Sequence, residues 1–174
     1  MKSRIIHFCY RYLLKPIFFQ IDPENIHNFM TIIGRLLGAC SITRKLITFF
    51  LSYSHPALQQ NILGIKFSNP VGLAAGFDKD AYLTSILPCV GFGFMEIGTI
   101  TGKSCKGNPK TRLWRLNKDQ SLMVNLGLNN RGAREISTRL AGKKFEIPLM
   151  VSIGKTNSRE TVQTETGIAD YLSA

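Results

Sequence analysis

Two short apolar runs rich in β-branched residues, Phe92–Ile100 and Ile147–Ile153, constrain this chain most. Each ends at a glycine or hydroxyl residue, and helix-forming sequence separates them. An earlier run, Val71–Ala75, follows the turn Ser68-Asn69-Pro70, and Ile62–Phe67 reads as a further short strand before it. Asp80–Val90 reads as a helix interrupted late by Pro88. Asn129–Leu140 reads as a second helix with Gly142 placed to end it, and a third starts near Glu160. Ile147–Ile153 has the composition of a buried parallel strand. Strand alternating with helix implies a parallel sheet with right-handed crossovers. Three such units fit a small doubly wound domain or the first part of an eight-stranded β/α barrel, which needs about 250 residues.

Residues 1–55 differ in character. Arg4, His7, Arg11 and Lys15 recur at helical spacing and share an arc of roughly 80°. Ile5, Ile6, Phe8, Tyr12, Leu13, Ile17, Phe18 and Phe19 fill the rest of a helix over residues 4–19. A narrow cationic stripe on a wide apolar body suits a helix lying in a membrane interface, and the other reading is a core helix with one wet edge. Asp22 is placed as an N-cap, Pro23 as the first helical residue, and Glu24 as the acid of the first turn. A further helix starts at Ser41, and His55-Pro56 ends the helical part. No stretch reaches about 18 apolar residues, so no spanning helix is expected.

Lys and Arg total 22 against 11 acids, a formal charge of +11. Such a surface favours anionic partners without choosing among them. No zinc finger, aromatic RNA motif or recognition helix is present, so nucleic acid is not expected as a partner. Cys9, Cys40, Cys89 and Cys105 lack the spacing of a metal or redox motif and read as inert thiols. No metal site is expected.

Four strings carry candidate chemistry. Asn69–Lys79 runs from a strand into Ala74-Ala75-Gly76, where small residues allow a flat ligand against backbone, and Lys79 then offers a cation. Glu96-Ile97-Gly98-Thr99 places a hydroxyl at a strand end, and Glu96 within an apolar strand requires a partner such as an arginine or backbone amides. Gly107–Leu116 reads as a basic loop, solvated or anion-covering. Val124–Asn130 offers asparagines for a planar ring, although Asn129 or Asn130 also fits an N-cap. His7, His27 and His55 receive no catalytic role.

These strings, in this order, resemble the quinone-dependent (class 2) dihydroorotate dehydrogenases. Asp22-Pro23-Glu24 with His27, and Ile153-Gly154-Lys155-Thr156-Asn157, match as well. The resemblance implies the N-terminal part of an FMN-binding (β/α)8 TIM barrel over residues 61–174. A small helical domain over residues 1–55 would precede it, touching the membrane and admitting quinone. It implies oxidation of dihydroorotate to orotate in pyrimidine synthesis, at the cytoplasmic face of the cell membrane. Ala75, Gly76, Phe77, Asp78, Lys79, Thr99 and Ser152 would contact FMN. Lys79, Val124, Asn125, Leu126, Gly127 and Leu128 would face the substrate. Val124 stands where the family has a substrate asparagine, with Asn125 as the alternative, and Ser152 stands where it has a flavin-contacting asparagine. The family's serine base lies on a loop beyond Ala174, so no catalytic residue is expected in this chain. The chain alone is expected to be a truncated piece, inactive or poorly folded. Two other readings remain: an FMN barrel of altered substrate, and a non-enzymatic basic membrane-binding protein.

Overall fold

The computed structural model describes residues 2–174, with side chains from Arg4 onward. The chain opens with α1 (Lys2–Cys9), a π-helical stretch (Tyr10–Leu14) and α2 (Lys15–Phe18). The Lys15 amide donates to Tyr10 O, one residue before Pro16. Proline has no N–H to continue a regular ladder, and the wider turn accommodates it. α3 (Pro23–Ala39) starts as its sequence dictates: Asp22 Oδ1 accepts the Asn25 amide at 3.0 Å, with Pro23 in the first turn. Cys40 turns extended and α4 (Ser41–Leu51) follows.

The first strand prediction is corrected. Ile62–Phe67 is a hairpin of β1 (Gln60–Ile62) and β2 (Ile65–Phe67), pairing Ile62 with Ile65. Leu63 and Gly64 make the turn with φ of 53° and 80°, the left-handed pair that a two-residue hairpin needs. Leu-Gly is a weak form of that signal, which is why the sequence reads as one strand.

β3 (Gly72–Leu73), β4 (Phe94–Ile100) and β7 (Leu149–Ile153) form a parallel sheet in that order. α5 (Ala133–Leu140) connects β4 to β7, and α6 (Thr164–Ser173) follows β7 after a short 3-10 turn. Asp80–Val90 is not a helix but a succession of turns. Ala81 has a φ of 58°, which breaks the helical start, and Pro88 removes a donor. Only isolated helical bonds form, such as Leu87 N to Leu83 O at 3.1 Å. β7 is also less buried than its composition implies. Its one sheet partner among the described residues is β4, and Met150, Val151 and Ile153 are exposed.

The basic connection after β4 holds a second hairpin, β5 (Leu113–Leu116) with β6 (Ser121–Val124). β6 is the short, fully exposed run Ser-Leu-Met-Val. Two cores back the sheet. Leu83, Ile86, Leu87, Cys89, Met95 and Ile147 form one, and Leu37 and Ile47 from the N-terminal helices pack onto it. Ala81, Ile97, Ile100, Ala133 and Ile136 form the other. The outer faces of α1, α2 and α4 stay apolar and exposed, including Phe8, Leu13, Ile17, Ile42 and Leu46. Among the described residues, no helix is long and apolar enough to cross a membrane.

Candidate functional site

The site is assembled at the C-terminal ends of the parallel strands, where α/β folds expose backbone groups to ligands. After β3 the chain turns through Ala75 and Gly76. The Gly76 amide donates to Gly98 O at 2.7 Å, and the Gly98 amide donates to Asp78 O at 3.2 Å. The turn is thereby stitched to β4 one residue before Thr99. Thr99 in turn meets the third strand, its hydroxyl 3.0 Å from the Ser152 hydroxyl. Gly154 closes on the same point, since a Cβ there would meet Thr99 Cγ2 at 2.6 Å and Leu128 Cδ1 at 3.7 Å. Gly76, Thr99, Ser152 and Leu128 therefore lie close together at the strand ends, with Ala75 beside Gly76 in the chain. Gly76 has a φ of 99° and open space where a Cβ would stand, so the backbone can be approached closely.

The other predicted residues divide. Asp78 is buried and its carboxylate is committed to the fold. Oδ1 accepts the Tyr82 amide at 2.9 Å and Oδ2 the Leu83 amide at 2.8 Å. Burial pushes its acidity down, against those two bonds. Phe77 faces the N-terminal helices, its ring 4.8 Å from that of His27, edge to face. Lys79 is half-buried and makes no hydrogen bond or ion pair among the described residues. Burial lowers its pKa below the usual lysine value, opposed by Asp80 and Glu24.

Val124 and Leu126 point toward a second space, a cavity of about 1540 Å³ between the N-terminal helices, the Gly76–Asp80 turn and the β5–β6 hairpin. Asn125 is turned away toward Asn108, whose Nδ2 donates to Asn125 Oδ1 at 2.8 Å. Gly127 packs on the same asparagine. The asparagine pair after it does not cap α5, whose N-cap is Gly132. Asn130 is a buried brace, bonded to Thr101, Leu128 and Gly132. Asn129 borders the cavity with its buried Oδ1 unpartnered.

Two further corrections concern charge, and a histidine without an assigned catalytic role also lies at the cavity. Arg112 is no solvated loop cation. It is buried and pairs with Glu24 through Nη2 at 2.7 Å and Nε at 3.1 Å, while Nη1 donates to the Lys106 and Asn108 carbonyls. The fork-on-fork contact holds the Glu24 carboxyl below its ordinary value. Glu96, expected to need a partner such as an arginine or backbone amides, is half-buried and makes no ion pair among the described residues. His27, given no role, borders the cavity beside Lys79. Burial and the Lys79 charge both lower its pKa. Its position three residues after Glu24 on one helical face was the available signal. Among the described residues no cluster fit for a metal exists.

A parallel β/α segment with a large cavity between its first strand-end turn and a set of N-terminal helices is the class that fold and site define. The chain belongs to the dihydroorotate dehydrogenase family, whose pattern it matches over residues 57–174. It is 42% identical over 144 residues to a protein of Mycobacterium tuberculosis named dihydroorotate dehydrogenase (quinone), covering 83% of this chain and 40% of the relative. A protein of the same name from Mycobacterium marinum is 37% identical over 162 residues, covering 93% and 44%. The crystal structure of DHODH from Eimeria tenella in complex with ferulenol superposes with a TM-score of 0.68 at 34% identity, over 84% of this chain and 39% of that one. The chain thus spans about two-fifths of the length of these relatives, and its architecture fits the N-terminal part of their β/α barrel.

Proposed function

We propose that this chain supplies the flavin-facing turn and the acceptor-side cavity of a quinone-linked dihydroorotate dehydrogenase, an enzyme oxidising dihydroorotate to orotate in pyrimidine synthesis. The observation that carries the reading is the contiguity of Gly76, Thr99 and Ser152 at the strand ends, with Gly76 and Lys79 lining the adjoining cavity. The residues fit FMN. Open backbone at Gly76 suits a flat ring, two hydroxyls offer donors and acceptors, and a half-buried cation suits a ring that gains negative charge. Bound there, FMN would supply two-electron chemistry between substrate and acceptor. Lys79 would hold the charge of the reduced ring or of the substrate carboxylate. Leu128 would pack on the substrate side, and Val124 in place of an asparagine removes one hydrogen-bonding partner for it. Asp78 acts through the fold, by fixing the turn that carries Lys79.

In this reading residues 1–55 form a helical domain that rests on the membrane and residues 61–174 form part of the barrel, with the protein peripheral at the cytoplasmic face. The exposed apolar faces of α1, α2 and α4 support the first assignment. The large cavity opening between those helices and Lys79 supports a lipophilic acceptor reaching the flavin.

A chimera joining residues 1–174 to the C-terminal three-fifths of the Mycobacterium tuberculosis relative tests the proposal. Dihydroorotate-dependent reduction of a quinone is expected. A folded, flavin-loaded chimera that oxidises other substrates but not dihydroorotate would support the altered-substrate reading that Val124 and Ser152 motivate.

A further inference from the structure

Next to the large cavity, and sharing Arg35 and Tyr82 with its lining, a smaller hollow of about 280 Å³ lies between α3, the turns after Asp80 and the end of α5. Arg35, Arg139 and Lys143 border it together with Ser85, and no carboxylate does. Tyr82 forms its floor between two guanidinium groups, Arg35 at 5.2 Å and Arg139 at 4.1 Å from the ring centroid. Cation-π contact arranges both guanidiniums without neutralising either.

Arg139 is otherwise committed. It donates to Asp80 O, to Tyr82 Oη at 3.2 Å and to Glu135 at 2.6 Å. The side chains of Arg35 and Lys143 make no hydrogen bond or ion pair among the described residues. The common duty of such cations is to cap helix C-termini. Here that duty is filled by other groups. Thr43 Oγ1 donates to Leu37 O and Arg44 Nη1 to Gly38 O at the end of α3, and backbone amides take Ser137 O and Leu140 O at the end of α5. Three cations and a hydroxyl border a hollow that no carboxylate lines, and of the three only Arg139 is paired, with Glu135 outside the lining.

We propose that this hollow binds a small phosphate-class oxyanion. Its volume suits inorganic phosphate or the phosphate of a lipid headgroup. Guanidinium and ammonium donors with a hydroxyl form the usual complement of phosphate oxygens. The two sources share this chemistry and differ in how they reach it.

The test compares the whole chain with two double variants that each remove two charges. Arg35→Gln with Lys143→Gln empties the hollow of its two uncommitted cations. Lys66→Gln with Lys118→Gln removes exposed cations elsewhere and controls for net charge. Calorimetric titration with inorganic phosphate at fixed ionic strength is run beside flotation with phosphatidylcholine vesicles, with and without phosphatidylglycerol. Loss of a charge-assisted hydrogen bond at each position corresponds to at least about tenfold weaker binding in the hollow variant. A tenfold loss in the titration, with flotation unchanged, assigns free phosphate. A loss confined to phosphatidylglycerol vesicles assigns the lipid headgroup. Equal behaviour of the two double variants in both assays, or no anion dependence in any protein, would overturn the site.

Discussion

Thr99 and Ser152 lie 53 residues apart and hold their hydroxyls 3.0 Å from each other, joining the ends of β4 and β7. The contact ties the candidate cofactor surface to two neighbouring parallel strands rather than to one loop. Replacing Thr99 by Val keeps the shape and removes one hydroxyl. In the chimera, flavin affinity is expected to fall about fivefold to tenfold, as for one neutral hydrogen bond. Fluorescence titration of released flavin reads the change, and an unaltered affinity would remove Thr99 from the cofactor's contacts.

Asp78 makes the contrasting case. Both carboxylate oxygens hold amides of the following turn. Asp78→Ala leaves two buried donors unpaired and is expected to cost about 2–3 kcal/mol. Asp78→Asn keeps one acceptor and is expected to cost about half of that. The urea midpoint of the chain measures both. A destabilisation by Asn as large as that by Ala would show that charge, not acceptor geometry, holds the turn.

The Glu24–Arg112 pair gives a pH dependence of known sign. Arg112 lowers the Glu24 pKa in the folded chain below its ordinary 4.5. The folded state therefore disfavours protonation, so the pair's contribution is complete above about 4.5 and is lost as pH falls through the lower folded value. Glu24→Gln should flatten the acid limb of the stability curve and lower stability at pH 7 by about 3 kcal/mol, the scale for breaking a buried pair. Denaturant midpoints at pH 7, 5 and 3.5 for both proteins give the comparison. Parallel curves would mean that Glu24 does not titrate differently on folding.

Two lysines should titrate in opposite directions. Burial lowers the Lys79 pKa, whereas the Glu160 carboxylate raises that of Lys103. Acetylation depends on the neutral amine. Its rate at Lys79, normalised to its own plateau, is therefore expected to rise at lower pH than the rate at Lys103. Peptide mass spectrometry across pH 7–11 follows both sites, and coincident profiles would contradict the burial of Lys79.

Sequence carried most of this where local rules govern. The Asp22-Pro23-Glu24 helix start, the extended runs of β4 and β7 and the small-residue turn to Lys79 are set by capping chemistry, periodicity and side-chain size, and all stand in the structure. What was missed depends on distant partners. Arg112 looks like a loop cation until Glu24, 88 residues earlier, meets it. His27 gains its place only because Phe77 and Lys79 fold back onto α3. Asp80–Val90 has helical composition, but Asp78 takes the Tyr82 and Leu83 amides and Ala81 is left-handed, so turns replace the helix. Asn130 was open between a cap and a ligand contact, and tertiary bonds to Thr101 decided it as neither.

Flavin reduction by dihydroorotate in the chimera, with Lys79 intact and with Lys79→Ala, bears most directly on the central claim. The intact chimera should carry flavin whose 450 nm absorbance bleaches on adding dihydroorotate without oxygen, about a hundredfold or more slower in the alanine variant, the scale for losing one preorganised charge contact. Equal bleaching rates in two equally flavin-loaded proteins would contradict the placement of Lys79 beside the ring.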